Sequence, residues 1–426
     1  MGKRAVVRDG QVLAVASTVD LDASAGSVVE LPPELESLPS RAIMDLYRYV
    51  DGAFVKRENV GKPASELRVA LVSNWRMRCG ISAYAEKLWP HVAGKVGDWR
   101  VFAERNSLEP DPRVVECWTR GEPLGALVDE LRAWKPDVVW IQHEYGIWPN
   151  ARHWLSLLSQ LSGVRVIVTL HSVYRHLDKL VCEAAIPEII VHLDGAQRVL
   201  EQEKKVPGSV HVVPHGCDQA TGEGRLWNIY RSERTFTQFG FGFGYKGWET
   251  SIRAAAALKE RYPDVFFTGL FSESPFCAAE HNALHTDLVR LVDDLGVRDN
   301  VAIIRGYQSE EAIDSYLRTA KAVVFPYVSH PKHEVFGASG AARQAMARPV
   351  PVITSSVNHF SDLPTLKADG PDAMAEALST LFESKAAWRK QVDVQAAYVA
   401  DNSWEAAAAR VIAILEGKSK RPPSGR

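Results

Sequence analysis

The chain has 426 residues, 46% of them hydrophobic and 24% charged, a length and balance that fit an ordinary globular protein of two domains with an appendage. Fifty Lys and Arg against 52 Asp and Glu leave a net charge of −2, which excludes the bulk field of a nucleic-acid or anionic-membrane binder while leaving a local basic groove open. The five cysteines, Cys79, Cys117, Cys182, Cys217 and Cys277, are never at metal-ligand spacing and are expected to be free thiols of a reducing compartment. The opening MGKRAVVRDG lacks the apolar core of a signal peptide and no run reaches ~18 apolar residues, so a cytoplasmic location without a transmembrane segment is expected.

Residues 1–62 form the expected appendage. Asp9-Gly10 lies between two β-prone runs and Asp51-Gly52 repeats the signal, so two hairpins are predicted around the proline-rich connector ELPPELESLPS. About sixty residues make a marginal core. The appendage is therefore expected to lean on the main body or on a second subunit, which makes it a candidate oligomerisation element. It resembles, in a generic way, the hairpins of bacteriophage virion proteins.

The first large domain is expected over 63–218. LRVALV reads as a buried strand, SNWRMRCGIS as a loop and AYAEKLWPH as the start of a helix. DVVWIQ, VRVIVTL, EIIVH and Val210–Val213 follow as strands, and their ends carry HEYGIW, HSVYRH and PHGCD. Strands separated by helix-length segments predict a parallel sheet with helices on both faces. Residues 219–234 read as a linker. The second domain, 235–395, repeats the pattern: RTFTQFGFG, DVFFTGLF, NVAIIRGY, KAVVFPY and PVPVITSS are strands, and GWETSIRAAAALKERYP is a helix stopped by Pro263. A C-terminal helix is expected over 396–417, with a disordered tail at 418–426.

The organising stretch is Lys321–Ala347. A buried strand, Ala322–Phe325, runs into a polar loop with His330, Lys332, His333 and Glu334, then the turn Phe336-Gly337-Ala338-Ser339-Gly340, then a helix. In doubly wound domains ligands sit beyond the carboxyl ends of the strands, and a helix N-terminus favours anions, so an anion site with a carboxylate beside it is expected here.

Six blocks in register carry a resemblance over Leu67–Gly417: CGISAY, PDVVWIQHEYGI, VIVTLHS, VHVVPHGCD, YKGWE, and EVFG with AMA. The chain resembles the retaining GT-B glycosyltransferases of the family 4 type. That resemblance implies two Rossmann-like doubly wound α/β domains facing a cleft, a nucleotide sugar as donor and a hydroxyl acceptor. It implies contact of Asn74–Gly80 with donor phosphate or acceptor, a sugar-pocket role for His171, and an approach of Glu334 to the transferred sugar or its phosphate.

The residues themselves leave alternatives. Asn74, Arg76, Arg78 and Gly80 lie over a helix N-terminus, where the arginines are either phosphate ligands or solvated loop charges. His143 and Glu144 end a buried strand and either reach the cleft or cap a helix. His171 is a sugar contact or a core histidine; His215, Gly216 and Asp218 are functional or purely structural. Gly240, Gly242 and Gly244 alternate in FGFGFGYKG, which would leave successive backbone N–H groups unobstructed for a pyrophosphate with Lys246 as countercharge. Gly306 and Tyr307 are a nucleobase contact or a simple turn.

Two positions depart from the family pattern. Phe243 and Phe241 stand where relatives place an arginine before the glycine-loop lysine, and Ala342 stands where the second glutamate would hold the ribose. Ser339, Gly340 and Arg343 are then expected to hold the diphosphate, the guanidinium offering a two-pronged fork. No Asp-x-Asp pair occurs in either large domain; Asp20 and Asp22 have that spacing only in the appendage. No metal and no cofactor are therefore expected, and cationic side chains and helix dipoles carry the leaving-group charge. The default acceptor is a glycan or lipid-linked glycan. The alternatives are a virion protein or a hydroxymethylated DNA base, the latter served by a basic strip of Arg175, Lys204, Lys205 and Lys332, and, in a different class, a catalytically silent binding or scaffold module.

Overall fold

The computed structural model describes residues 3–8, 11–16, 26–36, 40, 43–44, 47–56, 62–105, 111–161, 164–177, 186–219, 233–274, 276–329 and 334–418. The Asp9-Gly10 turn, Asp20, Asp22, Cys182, His330, Lys332, His333, nearly all of the 219–234 linker and the tail beyond Lys418 lie outside the described residues. By contacts the chain forms two units, Met1–Met77 with Ile81–Pro214 and Ala408–Arg426, and Arg78–Gly80 with His215–Ala407.

Within the first unit the appendage is a five-stranded sheet in the order Ser27–Glu30, Arg4–Arg8, Gln11–Ala16, Tyr47–Val50, Ala53–Lys56. Its second hairpin turns where expected: Val50 pairs with Ala53, and Asp51 and Gly52 have φ of 51° and 84°, the left-handed pair that matches strand twist. Ala5, Val7, Val12, Leu31, Leu35 and Ile43 give it a small core of its own.

The main sheet of the first unit has seven parallel strands, in the order Ser209–Val212, Glu188–Val191, Arg165–Leu170, Val138–His143, Arg68–Ser73, Asp98–Glu104, Val114–Trp118. Central strands buried on both faces read as unbroken apolar runs, and Val138–His143 is buried throughout. Asp98–Glu104 and Val114–Trp118 escaped the sequence reading. They form the outer side of the sheet, where exposed positions tolerate Asp98, Arg100 and Glu116, the charges that break up DWRVFAE and VVECW. The helix Ala151–Gln160 starts where the Asn150 side chain accepts the N–H groups of Arg152 and His153, and it buries Trp154, Leu157 and Leu158 at helical spacing. The chain returns to this unit at its end. Arg165 donates to the carbonyls of Ile414 and Leu415, the last of the helix Trp404–Leu415, and grips Glu188 with two bonds of 2.7 and 2.8 Å.

The second unit has six parallel strands ordered Val301–Arg305, Phe266–Ser272, Thr235–Phe241, Ala322–Phe325, Val352–Thr354, Leu366–Lys367. Alternation along Ala322–Phe325 feeds two cores. Ala322 and Val324 join Phe236, Trp248, Phe267 and Phe271 on one side, while Val323 and Phe325 join Phe239, Leu270 and Phe360 on the other. Each sheet reverses its strand order once, between Arg68–Ser73 and Val138–His143 in the first unit and between Thr235–Phe241 and Ala322–Phe325 in the second. These are the switch points at whose carboxyl ends a doubly wound fold opens a crevice.

Candidate functional site

At the switch point of the second unit the glycine loop meets the segment after Ala322–Phe325. Lys246 Nζ donates to Tyr327 Oη at 2.5 Å, and Tyr327 Oη lies 3.2 Å from Ser339 Oγ. An ammonium can only donate, so the tyrosine hydrogen goes to Ser339. Ser339 Oγ also accepts the N–H of Ala342 as helix cap, so its own hydrogen remains to donate to a ligand. Two further bonds hold the arrangement: Gln238 Nε2 to the Lys246 carbonyl at 2.9 Å, and Ser355 Oγ to the Tyr327 carbonyl at 2.6 Å. The ammonium also sits 4.1 Å from the Tyr327 ring centre and 4.9 Å from that of Tyr245. Burial works against the charge on Lys246, but the Tyr245 and Tyr327 hydroxyls outweigh it and hold its pKa above the ordinary lysine value. Lys246 is a cation at neutral pH.

Glu334 reaches the same place. It is exposed, and its Oε1 accepts from Asn358 Nδ2 at 3.0 Å. The next residue, His359, stacks on Tyr245 and accepts the Ser339 N–H through its carbonyl. Burial first, then the charges of Lys246 and Arg343, push the His359 pKa down to about 3, so its ring is neutral. Tyr307 stands at the end of Val301–Arg305 with the Arg78 guanidinium 5.1 Å from its ring centre, Arg78–Gly80 being the loop segment that groups with this unit.

Three expectations change. The glycine repeat does not leave a row of open amides: the N–H of Gly242 donates to Ser272 O, that of Phe243 to Phe241 O and that of Lys246 to Phe243 O. Its glycines serve the backbone instead. Gly240 has φ 140°, and a Cβ on Gly242 would fall 2.0 Å from the Phe271 ring. Gly244 faces open space. Gly242→Ala should therefore destabilise by about 1–3 kcal/mol, against less than about 0.5 kcal/mol for Gly244→Ala, a contrast that chemical denaturation measures directly.

Arg343 does not present a fork to phosphate. It is fully buried and donates to Asp362 Oδ2 at 2.5 Å and Ser339 O at 3.1 Å. The helix behind Ser339, Gly340–Met346, spans only seven residues, and Ser339 already takes the N–H of Ala342. Gly340 is small for a packing reason, since a Cβ there would stand 3.2 Å from His215 Nε2. His215 donates Nδ1–H to Gly216 O and packs on Trp404, a structural arrangement.

In the first unit the strand-end residues fold inward. His143 is 3% exposed and packs against Trp154 and Tyr145, and burial pushes its pKa down to about 3. It is a neutral core histidine, not a group reaching a cleft. A histidine whose folded pKa lies below its unfolded value contributes stability above about pH 6.5 that is lost as the pH falls toward 3. His143→Leu should accordingly flatten the acid limb of the stability–pH curve by about 1.4 kcal/mol per pH unit between pH 6 and 4, read by urea unfolding.

Glu144 accepts from Ser172 Oγ at 2.6 Å and from the Tyr145 N–H at 3.0 Å. Asn74 is fully buried and donates to Glu104, which Arg120 clamps with two bonds of 2.7 Å. Arg76 adopts φ 49°, its N–H bound by Glu86 and its guanidinium 3.6 Å from Asp111. Gly80 opens the helix Gly80–Ala93 with space around it. His171, 7% exposed, has Nε2 2.9 Å from Gln142 Oε1 and Nδ1 3.3 Å from His192 Nε2, so both ring nitrogens are engaged within the unit. Of the suggested basic strip, Arg175 is paired with Glu203 at 2.8 Å, while Lys204 donates to the Arg175 carbonyl and keeps its charge.

Tyr327, Gln238, His359 and Asp362 were not singled out from sequence, nor was His192. Tyr327 and His192 obey the strand-end rule that flagged Glu334 and His171, and applying it evenly would have found them. Gln238 and Asp362 carry no local signal. Among the described residues no group of three or more His, Cys, Asp or Glu could hold a metal ion, and no helix is long and apolar enough to cross a membrane.

Two doubly wound parallel-sheet units, with a lysine-bearing glycine loop at the switch point of the second, define the GT-B class of glycosyltransferase architecture. Residues 240–384 match the model of the family described as "Glycosyl transferases group 1", and the second unit carries a domain of that family. No curated protein matches the chain. Among solved structures, a glycosyltransferase from Rickettsia africae aligns with TM-score 0.63 and 11% identity over 82% of this chain and 98% of its own. HepE from Anabaena, in complex with UDP and glucose, gives 0.63 and 13% over 82% and 99%. Sucrose-phosphate synthase from Thermosynechococcus elongatus gives 0.63 and 18% over 81% and 97%. At these identities the likeness is one of fold.

Proposed function

We propose that the protein is a retaining, metal-independent glycosyltransferase that moves a sugar from a nucleoside-diphosphate donor to a hydroxyl of a glycan or lipid-linked glycan. The observation that carries this reading is the Lys246–Tyr327–Ser339 constellation at the switch point of the group 1 domain. It sets a fixed cation and a free hydroxyl hydrogen where a diphosphate would lie, and the helix Trp248–Lys259 starts two residues after the lysine with the positive end of its dipole. The HepE structure, which holds UDP and glucose, supports the same class of donor.

In this reading the bond from the anomeric carbon to the diphosphate oxygen breaks as Lys246 and Ser339 stabilise the leaving charge. The acceptor oxygen attacks on the face the diphosphate leaves, and its proton passes to the departing phosphate oxygen, so configuration is kept without a pair of protein carboxylates. That sequence asks nothing of His143, which is neutral and buried. In this reading Glu334, which accepts from Asn358, orients sugar hydroxyls.

The experiment is a panel of nucleotide sugars incubated with acceptor candidates, following free nucleoside diphosphate, with the anomeric configuration of the product read by NMR. Release with at least one donor, retained configuration and indifference to EDTA are expected. No hydrolysis, transfer or binding with any donor would overturn the enzyme reading in favour of a silent binding module. That second reading is favoured by Phe241, Phe243 and Ala342 at the departing positions and by the inward-turned Arg343.

A further inference from the structure

The first unit contains a buried chain of polar groups running across three neighbouring strand ends. His192 Nδ1 lies 2.9 Å from the carbonyl oxygen of Val213, His192 Nε2 lies 3.3 Å from His171 Nδ1, and His171 Nε2 lies 2.9 Å from the Gln142 side-chain amide. His192 is 3% exposed, His171 7% and Gln142 1%. The Tyr84 ring closes the side, its centre 4.7 Å from that of His171 and 5.0 Å from that of His192.

We infer that His192 is a positioning residue that dictates which nitrogen of His171 carries the hydrogen. The direction follows from the one partner with no choice. A carbonyl only accepts, so His192 Nδ1 bears a hydrogen. In a neutral His192 the Nε2 is then a lone pair, and the 3.3 Å contact to His171 closes only if His171 Nδ1 donates. His171 is thereby held with hydrogen on Nδ1, which makes Nε2 its variable nitrogen. With the amide nitrogen of Gln142 turned toward it, Nε2 is a bare acceptor; with Oε1 toward it, the two rings share one additional proton. In both states a hydrogen stays between the rings, and the Gln142 amide, not His171 Nδ1, marks the difference. For the transfer proposed above, on which this consequence rests, the fixed tautomer leaves Nε2 as the nitrogen of His171 that can accept, while His192 keeps the ring from reversing its tautomer.

Long-range nitrogen–hydrogen NMR of the ¹⁵N-histidine-labelled full chain reads the tautomers without any substitution. Hydrogen on Nδ1 of both His171 and His192 is the expected result. A His171 with bare Nδ1 and hydrogen on Nε2 would overturn the inference. Two variants separate positioning from packing. His192→Leu should release His171 to the Nε2–H form and lower kcat by about 10²-fold, the scale of one proton-handling group, with KM little changed. His192→Gln can still donate to Val213 O and accept from His171, so it should restore both the tautomer and most of the rate. Equal loss in the two variants, at unchanged NMR, would overturn the positioning role. Should no donor be turned over at all, the transferase reading fails while the tautomer spectrum still decides the inference.

Discussion

Lys246→Met is expected to lower turnover of the best nucleotide sugar by about 10²–10³-fold, the cost of removing one pre-set donor to a developing anion. The thermal midpoint should move by no more than a few degrees. The two halves of this result have separate causes. Lys246 is half-buried, and the Tyr327 hydroxyl it donates to keeps Ser339 as a partner when the ammonium is gone. Methionine fills the stem and keeps the contact with the Tyr245 and Tyr327 rings. What is lost is charge at the one place where the leaving diphosphate would need it. Stopped assays of diphosphate release, with calorimetric titration of the bare nucleotide, separate binding from chemistry. Unaltered turnover would remove Lys246 from the site.

Arg343→Met should behave in the opposite way, losing about 3–5 kcal/mol of stability because Asp362 is left without its counter-ion in a largely buried setting. Asp362 is only a quarter exposed and also accepts from Tyr398 Oη at 2.6 Å. The double variant Arg343→Met with Asp362→Leu should regain much of the loss, since a buried ion pair adds little over well-packed apolar groups. Nucleotide affinity of the folded fraction should stay near that of the parent. Had the guanidinium served the diphosphate, as its position in the chain suggested, affinity would collapse while stability held. Urea unfolding together with titration of a nucleoside diphosphate distinguishes these outcomes.

The contrast between these residues explains what can be read locally. The place of Lys246 in the fold was legible because its whole context lies within a few residues: a strand, glycines that the backbone requires, then a helix. Arg343 was misread because its partner lies 19 residues further on, in a loop after another strand. His143 and His171 end adjacent strands and look alike as text. One packs its ring against Trp154 in the core, and the other joins His192 and Gln142. Side-chain alternation along a strand is a register property, and register belongs to the sheet.

Two repeated α/β units, the first appendage hairpins and the strand-end positions of Glu334, Lys246 and His171 were all determined by the amino-acid sequence alone. They follow from apolar periodicity and turn chemistry, which act over a handful of neighbouring residues. The tertiary structure alone decided which strand ends become neighbours at the two switch points, that Tyr327 and, through it, Ser339 converge on Lys246 from far along the chain, and that Arg343 turns inward. The reason is physical: whether a polar group faces a ligand or a buried partner is settled by desolvation against whatever the packed sheets bring beside it, and that neighbour is seldom close in the chain.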